Sequence, residues 1–279
     1  GWSGLTEEDI PRELEPKIDK ALKDNGCSKV RLTSEEIDGF YYGFSNRTIW
    51  PLFHYFLEYA EFETDSWNTY KAVNQKFANA ILEKADDDDV IWVHDYQLML
   101  VPEMVKEKRP NTSIGFFLHI PFPSYEIFRT LPWRKEILRG LLGSDLIGFH
   151  TYDYERHFLS SVRRLLGVEV SFNEIHLEER VIKVDSFPMG IDYKKFSDAA
   201  SKHEKNTADK QSELQRRLNI HKESTPDAKL ILSIDRLDYS KGIAKRLNAF
   251  EYFLNKHPEY KEKVRLIILA VPSRSNVPQ

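Results

Sequence analysis

Short β-rich runs alternate with amphipathic segments along this chain, and this alternation limits the fold more than any other feature. Such an order predicts an α/β protein in which helices cover a parallel sheet. Several runs are apolar at consecutive positions, which is typical of strands buried on both faces. The runs are VRL (30–32), VIWVH (90–94), SIGFFLHI (113–120), DLIGFH (145–150), RVIKVDSF (180–187), KLILSI (229–234) and VRLIILAV (264–271).

The segments between these runs carry helix signals. Thr33 and Glu36 have the spacing of a capping box, in which each side chain bonds the backbone N–H of the other residue. The acidic run 86–89 is interpreted as a solvated turn rather than a metal cage, and the polar stretch 201–210 as a surface connection or a helix end. The predicted helices cover 34–43, 66–84, 96–108, 151–165, 209–219 and 241–256.

The segment FPMGID (187–192) places proline and glycine directly after a predicted strand. We interpret it as the crossing between two α/β domains, at 1–190 and 191–279. The second domain has too few predicted strands to fold well alone, and its last strand lacks the crossover element that a parallel sheet needs. The chain opens on GWSG with no strand before it. We therefore expect both domains to be incomplete and the chain to be part of a longer protein.

Composition excludes several classes of partner. The net charge is −4, whereas nucleic-acid-binding surfaces usually show a basic excess. No apolar run reaches the roughly 18 residues that a membrane span needs. Cys27 is the only cysteine, which excludes an intrachain disulfide and favours a reducing cytoplasm. Only 12 of 279 residues are glycine and no Gly-rich phosphate loop occurs, so a phosphate site would rely on cationic side chains and helix N-termini.

Polar and charged side chains collect where the predicted strands end. Ligands of open α/β sheets bind at the carboxyl ends of the strands, so these side chains are candidates for a binding site. The candidates are Asp95, His119, Arg236, Lys241 and Arg274.

Each candidate in the first domain also has a purely structural interpretation. Asp95 precedes YQLMLVPEMV and could act as a helix N-cap. His119, inside FFLHIPFP, could be a hydrogen-bonded histidine of the core. Tyr42 and Trp50 lie in an aromatic stretch that is more often core than binding site.

Arg236 and Lys241 lie between a strand and a helix, in SIDRLDYSKG (233–242). Cations at a helix N-terminus suit a diphosphate, because the helix dipole and the free N–H groups already favour anions there. Arg adds a planar fork of donors and Lys a point charge. Alternatively, the two cations could form surface ion pairs with Asp235 and Asp238, which contribute little to stability.

Several long motifs resemble glycosyltransferase family 20, the trehalose-6-phosphate synthases. They occur in the order of that family over nearly the whole chain, and the resemblance is weakest at 7–29 and 171–225. The motifs are FSNRTIWPLFHY (44–55), VHDYQLMLVPEMV (93–105), GFFLHIPFPSYEIFRTLP (115–132), RLDYSKG (236–242) and AVPSR (270–274).

The resemblance implies a GT-B architecture, two Rossmann-like domains facing across a cleft, and a reaction that needs no metal or other cofactor. It implies an acceptor-binding first domain and a second domain that binds the nucleotide sugar. The reaction is glucosyl transfer from UDP-glucose to glucose 6-phosphate, which gives α,α-trehalose 6-phosphate and UDP. Carried over by motif, the diphosphate ligands are Arg236 and Lys241, the acceptor-phosphate ligand is Arg274, the acceptor-site residues are Tyr42, Trp50 and Asp95, and the donor-sugar residue is His119.

The chain also departs from the family pattern. The family's Ser-Asn-Arg strand and Gly-Gly loop would precede GWSG, and its acidic and Asn-Leu motif would follow the last residue. Ser275-Asn276 stands where the family often has Gly-Asp. We therefore expect residues 1–279 alone to be nearly inactive.

The resemblance implies that the transfer retains the α configuration at the donor carbon. Retention through a covalent intermediate would need a carboxylate nucleophile. No residue of the sequence is assigned to that role, so the resemblance favours front-face substitution. Two other functions stay open: a related GT-B synthase with another acceptor, such as a glucosylglycerol-phosphate or sucrose-phosphate synthase, and a catalytically silent homologue that binds sugar phosphates and regulates other proteins. The donor nucleotide and a homo-oligomeric state are also left open.

Overall fold

The computed structural model describes residues 2, 4, 6–86, 88–205 and 228–272. The chain divides into two compact units, Gly1–Met189 and Gly190–Gln279. The division falls within the segment FPMGID (187–192). None of the helices in the described part is long and apolar enough to cross a membrane.

The first unit is built on a six-stranded sheet with the order β1-β2-β3-β6-β5-β4. The strands β1, β2, β3 and β6 run parallel, and β4 and β5 form an antiparallel edge. The predicted α/β class with a mostly parallel sheet is therefore confirmed. The bounds are β1 Val90–His94, β2 Ser113–Phe117, β3 Leu146–Phe149, β4 Glu169–Ser171, β5 Glu174–His176 and β6 Val181–Ser186.

Helices and short helical turns connect these strands. Those of the first unit are α1 Glu15–Asp24, α2 Ser34–Ile37, a π-helix Asp38–Ile49, α3 Trp50–Phe53, α4 Thr64–Lys84, α5 Val101–Lys106, α6 Tyr125–Phe128, α7 Arg134–Leu142 and α8 Tyr152–Leu166, with 3₁₀ turns at Leu57–Tyr59 and Tyr96–Leu98. The predicted helix 96–108 is in fact the second of these 3₁₀ turns followed by α5.

The segment that follows Thr33 begins as predicted and then changes type. The Thr33 hydroxyl accepts a hydrogen bond from the N–H of Glu36, and the Glu36 carboxylate accepts one from the N–H of Thr33, so the capping box is confirmed. After one α-helical turn the chain continues as the π-helix Asp38–Ile49. The predicted α-helix 34–43 is therefore wrong beyond Ile37.

The run VRL (30–32) is not a strand. Leu32 is fully buried, and its carbonyl accepts a hydrogen bond from the N–H of Glu7. Val30 is also buried whereas Arg31 is exposed, so the run packs its two apolar side chains into the core without forming a strand. Within the described residues it is paired with no strand.

Burial on both faces differs between the strands of the first unit. In β3, Ile147, Gly148 and Phe149 are buried at consecutive positions, as predicted. Along β1, Ile91 and Val93 point into the core, whereas Val90 is 75% exposed and Trp92 is 65% exposed. The consecutive apolar residues of β1 therefore do not indicate burial on both faces, and the prediction is wrong for this strand.

Helix α8 shows how the covered face is packed. Phe158, Leu159 and Val162 lie on one face of the helix and are buried. The helix contacts β3 and β6, and it ends at Gly167, whose φ of 71° lies in the left-handed region that glycine adopts without strain.

The second unit contains α9 Tyr193–Lys205, β7 Lys229–Arg236, a 3₁₀ turn Tyr239–Lys241, α10 Ile243–Lys256, a 3₁₀ turn Pro258–Tyr260 and β8 Val264–Val271. The strands β7 and β8 are parallel and paired along their whole length. The predicted strand 264–271 has the observed bounds. The predicted helix 209–219 lies outside the described residues, and 201–205 form the end of α9.

Gly143 ends α7 where the helix approaches the start of α5. A Cβ at this position would overlap the backbone of Pro102 and Glu103.

We expect Gly143→Ala to lower the free energy of unfolding by about 3 kcal/mol, because neither backbone segment can yield without moving its helix. Chemical denaturation measures this. Gly115→Ala is the matched control, since its Cβ would lie 3.5 Å from Trp92 Cδ1, an ordinary contact. Equal losses in the two variants would contradict the close approach of the helices.

Candidate functional site

Histidines follow one another along the carboxyl edge of the first sheet. His94 is the last residue of β1, His119 follows β2, and His150 directly follows β3. The His94 Nδ1 and His119 Nε2 atoms are 3.0 Å apart, and the His119 and His150 ring centroids are 5.6 Å apart. Parallel pairing of β1, β2 and β3 thus brings the rings together, and sequence analysis did not single out His150.

Asp95 adopts a backbone conformation that few residues other than glycine tolerate. Its φ is 71° and its ψ is 172°, which costs about 1–3 kcal/mol and is typical of functional sites. Its N–H donates to the Phe117 carbonyl at 2.8 Å, and its Oδ1 accepts the N–H of His119 at 3.2 Å. The side chain makes no capping hydrogen bond to the following turn, so the N-cap interpretation is wrong.

A buried network fixes the turn that follows Asp95. The Tyr70 hydroxyl donates to the Tyr96 carbonyl at 2.8 Å and accepts the N–H of Met99 at 3.1 Å. The Asn74 amide donates to the Gln97 carbonyl at 3.0 Å. Both side chains come from α4, so this helix supplies hydrogen-bond partners for the backbone of the turn.

The same network reaches the π-helix. The Tyr96 hydroxyl donates to Asn46 Oδ1 at 3.1 Å, and the Asn46 amide donates to the Tyr41 carbonyl at 2.7 Å. The Trp50 and Tyr96 ring centroids are 5.8 Å apart. The structure therefore joins the aromatic segment around Trp50 to the turn after Asp95.

The π-helix changes which aromatic residues share a face. The N–H of Trp50 donates to the Ser45 carbonyl, five residues earlier, so each turn holds roughly four and a half residues. Two such turns before Trp50 lies Tyr41, whereas Tyr42 is displaced around the helix. The Tyr41 ring packs edge-on against the ring of Tyr42, at a centroid distance of 5.3 Å.

The predicted residues of the first unit differ in exposure. Trp50 is 5% exposed and packs on His54 at a centroid distance of 4.1 Å, so most of its ring belongs to the core. Tyr42 is half-buried, and His119 is exposed. The interpretation of His119 as a core histidine is therefore wrong.

The environment of His119 favours its neutral form. Partial desolvation of the ring lowers its pKa below the usual value, the carboxylate of Asp95 opposes that shift, and His94 and His150 add to it. A neutral imidazole can donate one hydrogen bond and accept another, which suits a sugar hydroxyl.

In the second unit, the predicted cations lie on either side of a tight turn. Arg236 is the last residue of β7, and Lys241 ends the 3₁₀ turn just before α10. The Asp238 carboxylate accepts the N–H of Ser240 at 2.9 Å, and Gly242 has a φ of 64°. The turn therefore presents Lys241 at the N-terminus of a helix, where an anion is favoured.

Asp235 is hydrogen-bonded to an arginine of α10. Its carboxylate accepts a hydrogen bond from Arg246 Nη1 at 2.8 Å. For Lys241, the part of the chain that the structure describes supplies no ion-pair or hydrogen-bond partner to Nζ. The ion pair that the structure gives Asp235 is with Arg246.

The remaining predictions concern Arg274 and a metal site. Arg274 lies outside the described residues, so its role stays a prediction. Across the described ranges, no group of three or more His, Cys, Asp or Glu side chains is arranged to hold a metal ion.

The strain at Asp95 leads to an unusual order of stabilities. We expect Asp95→Gly to unfold with a free energy about 1–2 kcal/mol higher than Asp95→Ala, because glycine tolerates the positive φ and alanine does not. Denaturation of both variants measures this. The control pair is Lys183→Gly and Lys183→Ala, in the exposed middle of β6, where alanine should be the more stable. Alanine ahead of glycine at both positions would contradict the strain.

The lowered pKa of His119 makes stability depend on pH. Below about pH 6.5 the unfolded chain binds a proton at this histidine before the folded chain does, so the free energy of unfolding falls as the pH drops. We expect His119→Gln to lose less thermal stability than the wild type between about pH 7.5 and 5.5. NMR titration of the His119 ring would contradict this if its pKa lies above the usual value.

Comparison with known proteins identifies relatives along the whole chain. The model of glycosyltransferase family 20 matches residues 1–279. The alpha,alpha-trehalose-phosphate synthase [UDP-forming] of Candida albicans is 46% identical over 283 residues, which cover 99% of this chain and 57% of the relative.

Solved structures are similar as well. A trehalose-6-phosphate enzyme from E. coli bound with UDP-2-fluoro glucose is 33% identical with a TM-score of 0.80, over 89% of this chain and 53% of that chain. An alpha,alpha-trehalose-phosphate synthase (UDP-forming) from Burkholderia xenovorans in complex with glucose-6-phosphate is 31% identical with a TM-score of 0.80, over 88% and 53%.

The chain spans 36% to 57% of the length of the curated relatives that it matches. The family model nonetheless matches from the first residue to the last. These relatives, the GT-B class of the neighbouring structures and the motifs around Asp95 and Lys241 agree, and the chain belongs to glycosyltransferase family 20.

Proposed function

We propose that the protein transfers glucose from UDP-glucose to glucose 6-phosphate, forming α,α-trehalose 6-phosphate and UDP in trehalose biosynthesis. The observation that carries this proposal is the 46% identity to a UDP-forming synthase along 99% of the chain. The solved relatives with UDP-2-fluoro glucose and with glucose-6-phosphate support the choice of donor and acceptor.

The acceptor is assigned to the first unit. Asp95, with its carboxylate at the carboxyl edge of the sheet, would accept hydrogen bonds from hydroxyls of glucose 6-phosphate. Tyr42 and Trp50 would flank the sugar. The first-unit groups would orient the attacking hydroxyl, which lowers the entropic part of the barrier. Arg274, in the second unit, is proposed as the ligand of the acceptor phosphate.

The donor diphosphate is assigned to Arg236 and Lys241. Lys241 lies at the start of a helix of 14 residues, where the free N–H groups and the dipole add to its charge. Cations fixed in this way stabilise the negative charge that develops on the leaving UDP. His119, neutral near pH 7, would bind a hydroxyl of the donor sugar.

The proposed chemistry is a front-face substitution that retains the α configuration. The bond between the donor's anomeric carbon and the β-phosphate oxygen breaks, and a bond to the acceptor's anomeric oxygen forms. The acceptor hydroxyl attacks on the face from which the phosphate leaves, so no covalent intermediate and no carboxylate nucleophile are needed. Its proton passes to the departing phosphate oxygen. We propose that no metal or other cofactor takes part, and that the reaction occurs in the cytoplasm, as a single exposed cysteine favours.

The proposal is tested with the complete protein by following UDP release and trehalose 6-phosphate formation. Lys241→Ala and Arg236→Ala should each lower kcat about a hundredfold or more with little change in thermal stability, because each removes charge stabilisation from the transition state. Lys245→Ala is the matched control, an exposed lysine on the same helix. Wild-type turnover in both variants, or a product with another acceptor, would contradict the proposal.

A further inference from the structure

Arg246 bridges the two sides of the turn that carries Arg236 and Lys241. From α10, its Nη1 donates to Asp235 Oδ2 at 2.8 Å and to the hydroxyl of Ser233. Its Nη2 donates to the Lys241 carbonyl at 3.1 Å. One guanidinium thus contacts both the end of β7 and the backbone of the proposed phosphate ligand.

This bridge places a carboxylate within reach of the phosphate-binding cations. Asp235 and the backbone of Lys241 are held by neighbouring nitrogens of the same guanidinium, so they lie only a few ångströms from each other. Asp235 also directly precedes Arg236 in the chain. A carboxylate so close to an anion site opposes anion binding, and it can take a lysine as its own ion-pair partner.

We propose that Arg246 is a positioning residue that occupies Asp235 and thereby keeps Lys241 available to the donor's diphosphate. The inference rests on the proposed function of Lys241. Arg246 suits the role because its planar fork satisfies the carboxylate, a hydroxyl and a carbonyl at once. The buried Ser233 hydroxyl contacts Arg246 as well, and Asp235 supplies a carboxylate that accepts its hydrogen bond.

The test measures the affinity of the complete protein for UDP by isothermal titration calorimetry. We expect Arg246→Gln to raise the Kd about tenfold, because Asp235 is released and pairs with Lys241. Asp235→Asn should bind UDP at least as tightly as the wild type. The double variant Asp235→Asn/Arg246→Gln should recover to within about threefold of the wild type, since the competing carboxylate is gone.

Matched variants separate this role from general effects. Lys245→Gln removes one positive charge from the adjacent exposed position and should change the Kd less than Arg246→Gln does. Arg246→Lys keeps a charge beside Asp235 but loses the forked contacts, and should bind UDP more tightly than Arg246→Gln. If the glutamine variant does not fold, Arg246→Lys is compared with the wild type and with Asp235→Asn/Arg246→Lys, and removal of the carboxylate should restore UDP binding in the same way.

The outcomes discriminate between the inference and the proposed function. A double variant as weak as Arg246→Gln, or an Arg246→Lys variant no better than glutamine, would overturn the role of Arg246, because a merely structural bridge is not rescued by removing Asp235. A wild-type protein that does not bind UDP would instead overturn the proposed donor.

Discussion

The first unit depends on hydrogen bonds from two side chains of α4 to the backbone of the turn after β1. Residues 96–100 enter the core without a strand beside them, so their backbone groups would be buried and unpaired, at about 1–3 kcal/mol each. Tyr70 and Asn74, both fully buried, bond the backbone of Tyr96, Gln97, Met99 and Leu100. Burial raises the pKa of Tyr70, so its hydroxyl stays protonated and can donate and accept at once.

This rigid turn is what allows Asp95 to hold a strained conformation. A residue can keep a φ of 71° where the contacts around it stabilise that conformation by more than the strain costs. Asp95 is held on one side by Phe117 and His119 and on the other by the turn that Tyr70 anchors. Asn46 carries the same constraint into the π-helix, so the carboxylate and the aromatic face are positioned together.

The strands of the sheet were predicted more accurately from the sequence than the burial of their faces or the types of the helices. β1 and β8 have the predicted bounds: the run of β1 ends at the polar His94, and Pro272, which lacks a backbone N–H, follows β8. The hairpin of β4 and β5 was missed, since strands of three residues each are too short to show a period. VRL (30–32) had the same composition as a strand but no partner in the described sheet. At the site, the strand-end rule found Asp95 and His119, whereas Tyr70 and Asn74 act through a distant turn that spacing cannot reveal.

The two units position their candidate groups by opposite means, and this decides how each responds to change. The turn after Asp95 is supported by buried hydrogen bonds between uncharged groups, which salt does not screen. Around Lys241 the supports are charges near the surface, where Arg246 is 36% exposed and Asp235 is 26% exposed. Such pairs weaken as ionic strength rises. A substitution near Asp95 therefore alters folding and site geometry together, whereas one near Lys241 alters the local balance of charge while the strand and helix remain in place.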